Sequence, residues 1–348
     1  MTQVVPENDS NDESGLPRSV RITLLVVAVA LTGVLLWLIF MQTSDPLPDP
    51  VSGNRLEPVS SISGPGKGDL PFLDRPLGVS WGPDGDVFVS DTGNRRICVF
   101  TTTGRFIREM GRVAASATAA ERRLALQQPA GLAVAEDGSV YVADVRAGVV
   151  RHFDRRGELI GSLRAPVTPT VPKWMPVDVA LFAGEVYVAD AQGVAVFNAK
   201  GKLVRRFDRS TTASAFQRPA SVSVREDGAL VVSDTNAARV VALGPKGQHY
   251  WAIPSSDATE SRVFGLPRGL AIADNDSVMV VDAFRFGLTH LSSTGEVLET
   301  YGREGSKPGQ FRYPNDVAIR EELLVVADKE NDRVQVLRLQ SLLTDPLD

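Results

Sequence analysis

The sequence predicts an all-β fold, a six-bladed β-propeller of four-stranded antiparallel blades, preceded by one transmembrane α-helix. Three observations predict it. A short apolar run that ends in aspartate recurs six times along the chain. Strand and turn signals surround each copy in the same order. A stretch of twenty residues without a charged side chain lies near the N-terminus.

The aspartate-ended run is the second strand of each predicted blade. The six aspartates are Asp91, Asp144, Asp190, Asp234, Asp282 and Asp328. Successive members are 53, 46, 44, 48 and 46 residues apart, close to the ~40–50 residues of a propeller blade. A proline opens each first strand, where it removes no ladder hydrogen bond. Asp-Gly turns such as GPDG at 82–85 supply the positive φ that a hairpin requires.

The ends of the repeat predict how the ring closes. The last copy stops after its third strand, whereas residues 56–63, LEPVSSIS, stand before the first copy and have the character of a fourth strand. If this strand completes the last blade, no sheet edge is left open. The sequence therefore predicts six blades, with the last blade built from both ends of the repeat region.

Two segments carry a resemblance to a known family. They are RPLGVSWGPDGDVFVSDTGNRRICVF at 75–100 and GREGSKPGQFRYPNDVAI, followed by VVADKENDRVQVL, at 302–337. Both resemble NHL repeats, and the resemblance covers nearly everything from about residue 54. It implies a β-propeller in which the first strand of each blade lines the central channel.

The N-terminal region predicts a membrane anchor. Residues 22–41 are uncharged and, at about 1.5 Å per residue, match a hydrocarbon core of about 30 Å. Arg18 and Arg21 precede this segment, and no Lys or Arg follows it closely, so the positive-inside rule places the N-terminus in the cytoplasm. A signal peptide cleaved after 28–30, Ala-Val-Ala, is the alternative, although it would leave a long apolar run on the mature protein.

These features predict the domain organisation and the location. A single-pass protein of the cell membrane would place the propeller on the extracytoplasmic side, periplasmic or extracellular. The predicted segments are a disordered cytoplasmic tail at 1–21, a transmembrane helix at 22–41, a Pro-rich spacer at 42–53, the NHL-type propeller at 54–340 and a C-terminal tail at 341–348.

Composition and motifs narrow the range of functions. The net charge is −5 and no basic run is present, which argues against a nucleic-acid partner. The sequence has neither a dinucleotide-binding glycine motif nor a G-x-S-x-G nucleophile turn. No cofactor and no catalytic residue is predicted.

Basic and aromatic residues gather in the turns and blade-to-blade links that lie at one end of the predicted ring. Arginine and aromatic side chains dominate binding hot spots, whereas the link residues Phe216, Phe264 and Phe311 are expected to fill gaps between blades. The candidate binding residues are Arg95, Arg96, Arg146, Trp174, Arg218, Arg239, Arg285, Arg312 and Tyr313.

A metal site is not predicted. The six aspartates recur in every blade, as a structural requirement would, and are expected to accept backbone N–H bonds in turns. His152 and His290 occupy an apolar third-strand position in blades on opposite sides of the ring, and His249 lies beyond a hairpin. If a metal is bound, the candidates are Asp178, Asn315 and Asp316, polar residues of the first strands.

Three functions remain open at this point. The favoured one is a membrane-tethered extracytoplasmic module, a binder, scaffold or sensor, that recognises a protein, peptide or glycan through one rim. A metal-dependent hydrolase or lyase with a site at the central channel is the first alternative. A structural subunit of a membrane complex is the second. Fold alone does not decide among them.

Overall fold

The computed structural model describes residues 56–65, 70–112, 116–166, 173–208, 216–254 and 263–339, together with six helical residues near the N-terminus, Ser19, Val20, Ile22, Thr23, Leu25 and Val27. The chain divides into two compact units, Met1–Asp49 and Pro50–Asp348. The second unit contains six antiparallel sheets of four strands each. The predicted six-bladed propeller is therefore confirmed.

The strands follow one another regularly through the blades. In chain order they are β1 Leu56–Ile62, β2 Val79–Trp81, β3 Val87–Asp91, β4 Arg96–Phe100, β5 Phe106–Met110, β6 Pro129–Val134, β7 Val140–Asp144, β8 Val149–Phe153, β9 Leu159–Leu163, β10 Pro176–Phe182, β11 Glu185–Asp190, β12 Gly193–Phe197, β13 Leu203–Asp208, β14 Pro219–Val224, β15 Leu230–Asp234, β16 Arg239–Leu243, β17 His249–Ile253, β18 Pro267–Ile272, β19 Val278–Asp282, β20 Gly287–Leu291, β21 Val297–Tyr301, β22 Asp316–Arg320, β23 Leu323–Asp328 and β24 Arg333–Leu339. Blades 1 to 5 take β2–β5, β6–β9, β10–β13, β14–β17 and β18–β21, and blade 6 takes β22–β24 with β1.

Burial explains why the inner strands are almost continuously apolar. Each blade packs between two neighbours, so both faces of its second and third strands are covered. Every residue of β3 and of β4 is buried, whereas the outer strand β5 leaves Ile107 exposed. A strand that is covered on both faces loses the alternation of apolar and polar residues, and this is the pattern VFVSD and its five equivalents show.

Strand β1 is the outermost strand of blade 6. It pairs antiparallel with β24, with Ile62 opposite Val334 and Leu56 opposite Leu339. The Ile62 side chain is 1% exposed and packs in a cluster that includes Leu73 of the link into blade 1. The N-terminal strand therefore joins the last blade to the first.

The link between blades 1 and 2 contains a short helix, α1, at Ala119–Leu124. Thr118 and Glu121 form a reciprocal capping box, in which the Thr118 hydroxyl accepts from the Glu121 N–H and the Glu121 carboxylate accepts from the Thr118 N–H. Leu126, just beyond the helix, is buried against Gly111. This helix of six residues is held by its capping box, and the link beyond it is held by the Leu126 contact.

The membrane-span prediction falls largely on residues without a description. Within 22–41 only Ile22, Thr23, Leu25 and Val27 are described. No helix among the described residues has both the length and the apolar character needed to cross a bilayer. The predicted anchor, the spacer at 42–53 and the C-terminal tail at 341–348 therefore stay predictions.

Candidate functional site

The two ends of the ring differ in what they display. One end carries the turns between second and third strands and the links that lead into each first strand, and we call it the link rim. The other end carries the tight hairpins. Because Arg320 Nη1 donates to the Gly82 carbonyl in the hairpin of blade 1, at 2.9 Å, the C-terminal ends of the first strands lie at the hairpin end.

The repeated aspartates hold the link rim together. Asp144 accepts from the N–H groups of Gln127 and Gln128, both at 2.9 Å, and these residues lie in the link that precedes the first strand. Asp282 accepts from Gly265 and Leu266 at 2.6 and 2.9 Å in the same way. The expectation of a backbone-bonding role is thus met, although most of these partners lie in the preceding link and fewer lie in the following turn.

Several of these aspartates also bind an arginine five residues later. Arg96 Nε donates to Asp91 Oδ2 at 2.7 Å, and its other nitrogens reach Glu109 at 2.6 Å and the Pro71 carbonyl at 2.8 Å. Arg239 pairs with Asp234 at 3.0 Å. The Arg96 side chain is completely buried, so it stabilises blade 1 and is not available to a partner on the rim. The Arg239 side chain is bound to Asp234 in the same way but stays partly exposed to solvent.

The other predicted rim residues are divided between surface and interior. Arg285 is half-buried, 3.8 Å from Asp282. Trp174 is 4% exposed, and its Nε1 donates to Asp190 Oδ2 at 2.7 Å, so it fills a gap between blades as Phe216, Phe264 and Phe311 do. The exposed members are Arg95, Arg146, Arg218, Arg312 and Tyr313.

An aromatic cluster of Phe284, Phe286 and Tyr313 lies on the link rim between blades 5 and 6. Tyr313 contacts both phenylalanines edge to face, with ring centroids 6.2 Å from Phe284 and 5.2 Å from Phe286. Phe284 is 55% and Tyr313 43% exposed. Phe286 and Tyr313 have φ angles of 53° and 46°, a left-handed conformation that is unfavourable for bulky side chains. Exposed aromatic rings on a strained backbone are typical of a binding surface.

The central channel contains two cavities. The larger, about 310 Å³, lies toward the hairpin end, and the smaller, about 140 Å³, opens at the link rim. Asp178 and Asp316 line both cavities and therefore separate them. They belong to blades 3 and 6, which face each other across a six-bladed ring.

Both aspartates tie their own blade to the next one. Asp178 Oδ2 accepts from Ser221 Oγ at 2.6 Å and from the Val222 N–H at 3.1 Å. Asp316 Oδ2 accepts from the Val79 N–H at 3.0 Å, which links blade 6 to blade 1. A side chain at Gly131 would place its Cβ 2.0 Å from Asp178 Oδ1. The neighbouring blade needs glycine there because the carboxyl group occupies that space.

Asn315 and Arg268 lie beside this pair on the link-rim side. Asn315 Oδ1 accepts from Arg268 Nε and Nη2 at 3.0 and 2.9 Å, and its Nδ2 donates to the Leu77 carbonyl at 2.6 Å. One amide therefore connects blades 5, 6 and 1. Nothing local in the sequence indicates the pairing of Arg268 with Asn315.

Burial controls the protonation of the two aspartates. It raises the pKa of Asp178 from an ordinary 3.8 to about 6. Burial, followed by the nearby charge of Asp178, raises the pKa of Asp316 as well. A carboxyl group with a higher pKa in the folded state stabilises the fold when protonated, so this stabilisation is complete below about pH 4 and is lost as the pH rises through about 6.

The change Asp178→Asn is expected to flatten the pH dependence of stability. The difference of about two pKa units corresponds to roughly 3 kcal/mol of unfolding free energy lost between pH 4 and pH 7 in the wild type. The amide keeps an oxygen for Ser221 and Val222 but does not ionise. Urea unfolding from pH 4 to pH 7 measures the slope, with Glu226→Gln, an exposed hairpin carboxylate, as the control. Equal slopes in all three proteins would contradict the assignment.

The donor set does not fit a resident metal ion. Among the residues that the structure describes, no three His, Cys, Asp or Glu side chains come close enough to share one. The candidates Asp178, Asn315 and Asp316 have oxygens engaged by backbone N–H groups or by Arg268. His152 stacks on Tyr141, and His290 Nε2 is 2.9 Å from Ser277 Oγ.

Comparison with known proteins relates the chain to enzymes of similar fold. A family model described as the SMP-30/gluconolactonase/LRE-like region matches residues 73–175, under a third of the chain. A streptogramin B lyase superposes with a TM-score of 0.55 at 14% identity, over 77% of this chain and 94% of that one. Catalytically inactive virginiamycin B lyase from Staphylococcus aureus with quinupristin superposes with a TM-score of 0.54 at 12% identity, over 83% of this chain and 97% of that one.

A gluconolactonase from Xanthomonas campestris superposes with a TM-score of 0.57 at 14% identity, over 77% of this chain and 86% of that one. Identities this low relate the chains through their fold alone. The family model that matches is not the NHL repeat, so that resemblance stays a prediction.

Proposed function

We propose that this protein is a recognition module that binds a protein, peptide or glycan through the link rim. The observation that carries the proposal is the aromatic cluster of Phe284, Phe286 and Tyr313, in which Phe284 and Tyr313 are exposed and Phe286 and Tyr313 have positive φ angles. Arg312, the neighbour of Tyr313, is exposed as well. Tyrosine, tryptophan and arginine are enriched among the few residues that supply most of the binding free energy in protein interfaces.

The proposed setting is the outer face of a cell membrane. It rests on the uncharged segment 22–41 and on the arginines that precede it. The Pro-rich spacer at 42–53 would tether the propeller to that membrane. A scaffold, a sensor and a subunit of a membrane assembly would each bind their partners through the link rim.

Site-specific photo-cross-linking tests the proposed recognition. A benzophenone amino acid at Tyr313 is expected to give a discrete adduct in cells that make the protein, whereas the same probe at Arg156, exposed in a hairpin at the other end, gives none. Adding Phe284→Ala is expected to weaken the Tyr313 adduct about tenfold, the effect of losing one aromatic hot spot.

Two outcomes would refute the proposal. One is an equal adduct yield from both positions, which would mean contact without selectivity. The other is the absence of any adduct at Tyr313 while thermal unfolding shows an intact fold.

A hydrolase or lyase is the second candidate, and the match of residues 73–175 to the SMP-30/gluconolactonase/LRE-like region favours it. Its site would lie in the central channel, where Asp178 and Asp316 have raised pKa values because they are buried. Perturbed carboxyl groups in a cavity are typical of active sites. Their hydrogen bonds to the neighbouring blades give them a structural role instead, which is why recognition is the first candidate.

A further inference from the structure

Two arginines meet at the link-rim mouth of the channel. Arg218, from the link into blade 4, and Arg268, from the first strand of blade 5, line the same cavity of about 140 Å³. Among the described residues, the Arg268 guanidinium donates only to Asn315 Oδ1, and the Arg218 guanidinium donates to no side chain or carbonyl. Neither is paired with a carboxylate there. The mouth therefore has two cationic groups whose hydrogen-bonding capacity is largely unused.

The backbone at both positions is fixed by hydrogen bonds to blade 4. The Arg218 N–H donates to Asp234 Oδ1 at 2.7 Å, and its carbonyl accepts from the Thr235 N–H at 3.0 Å. The Arg268 carbonyl accepts from Ser233 Oγ. Because these bonds fix the backbone that carries both side chains before any ligand arrives, less conformational entropy is lost on binding.

The electrostatics of the mouth favour an anion. Burial lowers the pKa of Arg268, and the nearby positive charge of Arg218 lowers it further. Two like charges held together at a half-buried position are unfavourable unless an opposite charge is shared between them. The carboxyl groups of Asp178 and Asp316 partly offset this by raising the pKa of Arg268, but they lie deeper and accept from the Val222 and Val79 N–H groups, and neither forms an ion pair with Arg268.

Cavity size and depth select the class of anion. A space of about 140 Å³ is close to the roughly 150 Å³ that admits one benzene molecule in a protein interior. It holds a carboxylate with a short substituent. A guanidinium binds a carboxylate through two parallel hydrogen bonds.

We propose that the link-rim mouth of the channel is a carboxylate-binding site, in which Arg218 and Arg268 bind one carboxylate group. This proposal rests on the proposed recognition function, because it identifies the carboxylate as the chemical group of the partner that binds in the channel. The carboxylate is either a small free acid or the terminus of a peptide whose body lies across the rim toward the aromatic cluster.

Calorimetric titration of the full chain tests the site with three probes: acetate, acetylated tetra-alanine with a free C-terminal carboxylate, and the same peptide as its amide. We expect the acids to bind and the amide not to bind. Arg218→Gln, at an exposed position where the fold tolerates change, is expected to weaken acid binding at least about tenfold. Arg268→Gln should do the same. Arg320→Gln removes an equal charge at the hairpin end of the channel and should change nothing.

The two acids distinguish the source of the carboxylate. Similar affinities for acetate and the acid peptide support a small free acid, whereas a peptide affinity at least about tenfold higher supports a chain terminus. The proposal is overturned if the acids give no more heat than the amide, or if Arg320→Gln weakens binding as much as Arg218→Gln. A Tyr313 adduct without acid binding overturns this inference alone; acid binding without a Tyr313 adduct overturns the proposed partner recognition alone.

Discussion

Deletion of Leu56–Ile62 is expected to abolish the cooperative thermal unfolding of the propeller. These residues form β1, the only outer strand that blade 6 has among the described residues, and their loss leaves the edge of β24 unpaired. Removing the Ile62 side chain alone would cost about 2–5 kcal/mol, the usual effect of emptying an apolar core site. Since whole domains are stable by only about 5–15 kcal/mol, losing the strand should exceed what the ring tolerates.

Complementation in trans distinguishes loss of the strand from a general effect of truncation. A synthetic peptide with the sequence of residues 54–63 is expected to restore a cooperative transition by pairing with the free edge of β24. The same peptide carrying Ile62→Asp should not restore it, whereas Ser61→Asp, at an exposed position of the same strand, should. An unchanged unfolding midpoint in the deletion variant would contradict this account of ring closure. Circular dichroism during heating provides the measurement.

The change Arg333→Ala is expected to lower the unfolding free energy by about 3–5 kcal/mol. This is the usual cost when a buried ion pair loses one partner. Arg333 Nε donates to Asp328 Oδ2 at 2.7 Å, and its other nitrogens donate to the carbonyls of Ser306, Lys307 and Gln310 at 2.8, 3.1 and 2.9 Å. Alanine would leave the Ser306 carbonyl without this donor and Asp328 without its counter-charge, whereas the Lys307 and Gln310 carbonyls keep the Gln310 N–H and the Gln335 amide as donors.

Two comparisons make the Arg333 prediction specific. Arg338→Ala removes an arginine from the same strand that pairs with Glu322 at 2.8 Å while 39% of its side chain is exposed, so its cost should stay within about 1 kcal/mol. Arg333→Lys keeps the charge but loses the fork that reaches several carbonyls, so it should recover only part of the stability. Urea unfolding measures the unfolding free energy of all three variants. Equal losses of unfolding free energy for Arg333→Ala and Arg338→Ala would refute the interpretation.

The fold could be predicted because propeller blades repeat a local pattern. The buried runs that end in Asp91 and Asp328, the proline before each first strand and the Asp-Gly hairpins are all determined by neighbours within a few residues. Even ring closure could be predicted, because a strand was missing at one end of the repeat and present at the other. None of these inferences requires knowledge of how blades pack.

The candidate site could be predicted only in part, because it depends on contacts between blades. Arg96 is close to a turn in sequence, yet it is the first residue of β4 and its side chain binds Asp91. The same pairing occurs at Asp234 and Asp328, each with an arginine five residues later, so this D-x4-R spacing is the sequence signal for an arginine bound inside its own blade. Phe286 contributes to the aromatic cluster because its φ is positive, which sequence does not reveal for a phenylalanine. The pairing of Arg268 with Asn315 spans two blades and has no local signature.

The position of β1 in blade 6 has a consequence for biosynthesis. The strand is completed at Ile62, but its partner β24 is completed only at Leu339, 277 residues later. At about 5–20 residues per second, a ribosome needs roughly 14–55 s to cover that distance. Throughout this time β1 has no strand to pair with. No nascent chain shorter than about 339 residues can close the ring.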